Sequence, residues 1–188
     1  MKRIADLEPR LGPPAPRDKP HPAAVAVVLR DGEGGVEALL MRRAERAGDR
    51  WSGDVSFPGG FAHGDEGPTR AAQRETHEEL GLELGEPLGA LPDLPGPPWT
   101  WVSPFTITPL VFALNGDPPL TLEQSEVVSA RWVPLATLLD PANRRDFWWV
   151  YRPWRRLPVA MPVRMPKVNV GDYDVWGLTL QIVQSLGG

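Results

Sequence analysis

Residues 60–82 read GFAHGDEGPTRAAQRETHEELGL, and the fold is decided by how this stretch is read. Pro68 suits the first position of a helix and Gly81 the position just past its end. The residues between them are good helix formers, so one helix is predicted over 69–80. On it Glu75, Glu78 and Glu79 stand at i, i+3 and i+4 and share a face. Like charges at those spacings cost about 0.2–0.5 kcal/mol per pair, and Glu78 and Glu79 also occupy the last turn, where the helix dipole disfavours acids. A solvated face would more cheaply alternate Glu with Lys or Arg, and here the cation close by in sequence is Arg74. A hard divalent cation among the three carboxylates offsets that repulsion, which marks them as candidate metal ligands.

The residues before the helix extend the pattern. Gly60, five residues, Glu66, seven residues, Arg74-Glu75, two residues, Glu78-Glu79, one residue, Gly81 and the apolar Leu82 match G-x5-E-x7-R-E-U-x-E-E-x-G-U at every fixed position. The soft departure is Thr76, where an aliphatic residue is preferred and whose methyl can still pack inward. The chain thereby resembles the Nudix hydrolases. That resemblance implies an α/β fold, an α/β/α sandwich with a mixed β-sheet in which the quoted stretch forms loop, helix and loop. It implies metal-dependent hydrolysis of a phosphoanhydride bond in a nucleoside diphosphate linked to another moiety. Mg2+ or Mn2+ would be held by Glu75, Glu78 and Glu79, with Glu66 either closing the loop onto the helix or binding a further ion through water. Arg74 is expected to orient a carboxylate. The general base is a box glutamate or a carboxylate from a distant loop, which here means Glu75 or Glu126.

Upstream, 24–29 is β-branched and apolar, 31–35 is a glycine-rich turn and 36–41 is a second apolar run, together a hairpin. Residues 42–53 carry Arg42, Arg43, Arg46 and Arg50, a loop able to hold phosphates in bidentate geometry or simply to be solvated. Phe57 is placed to close the following strand, and Pro58-Gly59-Gly60 lets the backbone turn tightly against a ligand or metal. Leu39-Leu40-Met41-Arg42-Arg43-Ala44, Gly53 and Phe57-Pro58-Gly59-Gly60 are similar to the extra motif L-L-T-x-R-[SA]-x3-[RK]-x3-G-x3-F-P-G-G of coenzyme A pyrophosphatases. Met41 replaces the threonine and the gap to Gly53 is one residue longer, which leaves the inner basic position shared between Arg46 and Arg50. Near the end, Asp174-Val175-Trp176-Gly177-Leu178-Thr179 is similar to the I-W-G-[LM]-T segment of the same branch. Arg43, Arg50, Phe57, Gly59 and Gly60 are accordingly the candidate substrate-binding residues. The substrate implied is coenzyme A, cut to 3′,5′-ADP and 4′-phosphopantetheine. ADP-ribose, a dinucleoside polyphosphate or a nucleoside triphosphate are the alternatives within the family, and a non-catalytic Nudix-fold ligand sensor is the alternative outside enzymology.

Downstream, 83–91 is expected to be a strand, and 92–104 a proline-rich loop whose Trp99 and Trp101 either pack on the protein or stack on a nucleobase. A strand over 105–114 carries Pro109, which implies an edge or a bulge. Asn115-Gly116-Asp117 turns the chain, and Glu123, Gln124 and Glu126 precede a strand over 127–133 and a short helix over 134–140. Residues 144–156 interleave Trp148, Trp149, Tyr151 and Trp154 with five arginines: a nucleotide grip, a homodimer interface, or indoles packed inward. A terminal amphipathic helix is expected behind Asp174 as N-cap, continuing to Leu186. Of the histidines, His21 lies in the N-terminal arm, His63 in the loop where it can touch substrate, and His77 on the side of the helix away from the acids.

Bulk properties bound the rest. The 188 residues suit one domain able to bury about 70% of its unfolded surface, taken as 22–188 behind a proline-rich arm over 1–21. A net charge of −4 argues against nucleic acid as partner and leaves a small-molecule nucleotide served by a local basic pocket. With no cysteine, disulfides and thiolate metal sites are excluded. There is no apolar leader after Met1-Lys2-Arg3 and no run long enough for a membrane span, so a cytoplasmic protein is expected.

Overall fold

A computed structural model describes residues 3–13, 22–49, 51–96, 105–151 and 161–187. The predicted hairpin is β1 (Pro22–Gly32) and β2 (Gly35–Arg43), antiparallel with Leu29 opposite Ala38. After β3 (Val55–Ser56) and β4 (Gly59–Phe61) comes the helix α1 (Pro68–Leu80), with Pro68 in its first turn. Gly81 ends it in the left-handed conformation at φ 68° and donates its N–H to His77 O. The chain continues through β5 (Gly89–Ala90), β6 (Leu94–Pro95), β7 (Thr106–Ala113), β8 (Val127–Pro134) and α2 (Leu135–Leu139). It closes with β9 (Arg144–Tyr151), β10 (Met161–Val170), β11 (Tyr173–Trp176) and α3 (Gly177–Gly187).

Among the described residues β1 to β8 form one mixed sheet along the path β3-β2-β1-β7-β5, with β4 also on β1, β6 on β7 and β8 on β2. β1 runs parallel to β7 and antiparallel to its other partners. Both faces are covered, which is why β1 and β2 read as near-continuous apolar runs. Ala24, Ala26, Val28, Leu39 and Met41 pack with Ala71, Ala72 and Leu80 of α1. Val27, Leu29, Ala38 and Leu40 pack on the opposite face with Leu135 and Leu138 of α2 and Leu180, Ile182, Val183 and Leu186 of α3. This is the expected α/β/α layering, and the alternation carries on to place Arg43 on the α1 side.

Three local expectations change. Residues 83–91 form a strand only at Gly89–Ala90. Pro109 is neither at the sheet edge nor in a bulge: it pairs with Val25, and on its other side the neighbouring strand is interrupted between β5 and β6. Pro109 O accepts Leu91 N–H there at 2.9 Å, so the gap falls where the imino acid has no N–H to give. The terminal helix starts at Gly177, because residues 173–176 pair with β10; Asp174 is therefore a strand residue bonded to Lys167 and Asn169, not an N-cap.

The N-terminal arm is described over 3–13, where two short 3-10 turns bury Ile4 and Leu7 in the core beside α3. Arg10 caps α3 by donating to Gly187 O at 3.0 Å. In β9 the aromatics divide by strand alternation: Phe147 and Trp149 meet Trp176, at 5.3 and 5.8 Å between ring centroids, while Trp148 faces outward and is 69% exposed. Among the described residues no helix is long and apolar enough to cross a membrane.

Candidate active site

Four side chains converge where the loop meets α1, and Arg74 stands at their centre. It donates to Glu66 through Nε (3.2 Å) and Nη2 (3.1 Å), to Glu75 (2.8 Å) and Glu78 (2.9 Å) through Nη1, and to Phe61 O at 3.0 Å. Its bond to Glu66, against some desolvation and helped by Glu75, pushes the guanidinium pKa further up. Glu66 also accepts His63 N–H at 3.0 Å, so it closes the loop onto the helix with both oxygens engaged by protein donors. Arg74, expected to orient one carboxylate, thus holds three.

Glu79 behaves differently from the other two helix carboxylates. Glu78 is largely exposed, whereas Glu79 is only 1% exposed. Its Oε2 accepts Gly59 N–H at 3.0 Å, and Arg43 Nη1 approaches Oε1 at 3.8 Å. Burial pushes its pKa up to about 8 despite those two partners, and the charges of Glu75 and Glu126 push in the same direction. The glycines are what allow this closeness. Gly59, at φ 147°, lies against β1 so tightly that a Cβ would stand 2.3 Å from Ala24 O. A Cβ on Gly60 would stand 2.5 Å from the Glu75 carboxylate.

Two loops flank these acids. In the basic loop Arg43 reaches Asp49 (3.1 Å) and turns its other nitrogen to Glu79, while its Nε is buried without a hydrogen-bond partner. Arg42, one residue earlier, points the other way, over the Tyr173 ring. In the second loop, Thr121 N–H and Glu123 N–H cap the α1 carbonyls of Leu80 (2.9 Å) and Glu79 (3.0 Å). Gly81 permits that approach, since a Cβ there would stand 2.9 Å from Thr121. The capping brings Glu126 within charge range of Glu79 and leaves Glu123 bonded to Ser125.

Phe57 requires a correction. It is 2% exposed and packs with Val55 and Leu40 on the face of the sheet away from α1, so burial of its ring, not contact with a ligand, explains it. Arg50, Trp99, Trp101, Trp154 and His21 lie outside the described residues. His77 pairs with Glu83, away from the acids, and His63 contributes its backbone N–H.

Sequence reading missed Asp54 and Asp49. Asp54 accepts Trp176 Nε1–H at 3.2 Å, its carbonyl accepts Arg43 N–H at 3.0 Å, and burial raises its pKa to about 6. Thr179 adds a bond to Val55 O at 3.0 Å. The Trp-Gly-Leu-Thr string near the C-terminus therefore braces the strand leading into Pro58-Gly59-Gly60. No local pattern marks Asp54, but its place just before the β3 strand and the distant Trp176 belong to the two motifs already noted.

As the side chains stand, no three acidic or imidazole groups among the described residues enclose an ion, because Arg74 draws Glu75 and Glu78 to itself. The donor set nonetheless suits a hard divalent cation: three carboxylates on one helix, one of them buried with its pKa raised, beside a glycine whose missing Cβ leaves room for Glu75.

A mixed sheet between helices, with this acid-bearing loop-helix-loop against it, places the chain in the α/β/α class of folds. The chain belongs to the Nudix family, whose NUDIX domain model matches residues 20–155. It is 33% identical over 163 residues to an uncharacterized protein of Schizosaccharomyces pombe, covering 75% of this chain and 49% of that one. It is 30% identical to the peroxisomal coenzyme A diphosphatase of Caenorhabditis elegans (78% of this chain, 62% of that one). It is 32% identical to the mitochondrial coenzyme A diphosphatase of Homo sapiens (89% and 69%). The chain thus spans about half to two thirds of the length of these relatives. The crystal structure of a C. elegans Ap4A hydrolase binary complex shares the fold at TM-score 0.52 and 23% identity, covering 61% of this chain and 80% of that one.

Proposed function

We propose that this Nudix hydrolase cleaves the diphosphate of coenzyme A into 3′,5′-ADP and 4′-phosphopantetheine. The observation that carries the proposal is the junction of the two motifs similar to coenzyme A pyrophosphatases: Trp176 and Thr179 of the second bond to Asp54 and Val55, which lead into the Phe57-Pro58-Gly59-Gly60 of the first. Relatives named coenzyme A diphosphatases at 30% and 32% identity support it.

Glu75, Glu78 and Glu79 are the proposed ligands of Mg2+ or Mn2+. The bound ion would supply charge neutralisation on the diphosphate oxygens and a more acidic water. Glu126, within charge range of Glu79 yet 40% exposed, is the group assigned to take the proton from the attacking water. Arg43, whose side chain stays partly exposed while Asp49 fixes its guanidinium plane, is the proposed phosphate contact. Arg74 and Glu66 hold the acids in register without touching substrate.

A substrate panel with Mg2+ and products resolved by mass tests this reading. Release of phosphopantetheine is expected; turnover of ADP-ribose, dinucleoside polyphosphates or nucleoside triphosphates but not coenzyme A would replace the substrate, and no turnover of any would favour a ligand sensor. Glu78→Gln should lower kcat by roughly two or more orders of magnitude with the fold intact, Glu78 being exposed.

A further inference from the structure

We infer that Arg46 is the positioning residue for Glu126, joining the basic loop to the loop that brings the proton acceptor to the site. The inference rests on the role proposed above for Glu126. The backbone of the second loop is set by its own bonds as far as Ser125. Thr121 and Glu123 cap α1, and Glu126 and Val127 N–H both donate to Glu123 O at 2.8 Å. Ser125 N–H and Oγ donate to the Glu123 carboxylate at 3.2 and 2.8 Å. None of these bonds holds the Glu126 side chain.

Arg46 does so from the other loop. Its Nε and Nη2 donate to Ser125 O at 3.0 and 2.8 Å, and Nη2 also donates to Glu126 Oε1 at 3.1 Å. One planar fork therefore grips a carbonyl and the adjacent carboxylate, a geometry that an ammonium reproduces only in part. The arginine is itself fixed: its N–H donates to Ser52 Oγ at 2.7 Å and its carbonyl accepts Asp49 N–H at 3.2 Å. Ala44 N–H donates to Glu126 O at 2.7 Å, so the two loops are joined along main chain and side chain together.

The pair is nearly half exposed at both partners, and such pairs contribute little to stability. Its consequence is geometric: a base misplaced by an ångström loses rate steeply even when substrate binding is unaffected.

A double-mutant cycle tests this on whichever diphosphate the wild type hydrolyses, with Mg2+ in excess. Arg46→Gln should lower kcat by roughly 10- to 100-fold with KM changed less than about twofold, and Arg46→Lys should recover part of the loss. In the Glu126→Gln background, Arg46→Gln should lower kcat no further. Equal losses in both backgrounds, or a loss expressed mainly in KM, would show that Arg46 grips substrate directly and overturn the inference. Full kcat in Glu126→Gln would overturn it too. A wild type active on another diphosphate would displace coenzyme A while leaving the Arg46 cycle intact.

Discussion

Gly59 N–H donates to Glu79 Oε2 at 3.0 Å, a bond across 20 residues that ties the glycine turn to the last turn of α1. The turn can lie that close only because Gly59 has no side chain and adopts φ 147°. Gly59→Ala should therefore destabilise the protein by upwards of about 3 kcal/mol, since the new methyl meets backbone, 2.3 Å from Ala24 O and 2.6 Å from Val25 Cα. Urea unfolding of the variant measures this directly.

Gly60→Ala separates stability from activity. Its φ is not left-handed, and the nearest atoms a Cβ there would meet are the end of a flexible side chain, the Glu75 carboxylate at 2.5 Å. Unfolding free energy should change by under about 1 kcal/mol while kcat falls roughly 100-fold, because the displaced group is a proposed metal ligand. Unchanged kcat would remove Glu75 from the ligand set.

Asp54 should leave a signature in the pH dependence of stability. Its folded pKa is about 6 against an ordinary value of 3.8, so between those values the native state binds more protons than the unfolded chain. Stability accordingly falls as pH rises from about 4 to about 6 and this contribution then levels off. Solvent screening at this half-buried position reduces the effect to of order 1 kcal/mol. Glu79, raised to about 8, acts in the same direction over a higher range. Asp54→Asn still accepts from Trp176, so the wild-type-minus-variant difference in Tm across pH 4–8 isolates Asp54. A flat difference would contradict the assignment.

Thr76 is fully buried, and its hydroxyl donates to Ala72 O at 2.7 Å, one turn back. That bond satisfies the hydroxyl but competes with the helix's own ladder. Thr76→Val, nearer to the aliphatic residue of the box pattern, should leave Tm unchanged or raise it slightly, within about 0.5 kcal/mol, with activity unaltered. Thermal unfolding and a kcat measurement check both.

Local sequence suffices for α1, its proline start and glycine stop, the i, i+3, i+4 carboxylates and the hairpin before them. Each is a matter of residues within a few positions of one another, where propensity, capping and periodicity act. It also named Arg74 and Glu126, but not their partners. It takes the folded packing to bury Glu79 while exposing Glu78, to turn Phe57 into the core, to place Asp174 in a strand, and to bring Asp54 to Trp176 across 122 residues. Those outcomes depend on which elements come to lie side by side, and a pattern along the chain carries no record of what packs against each face.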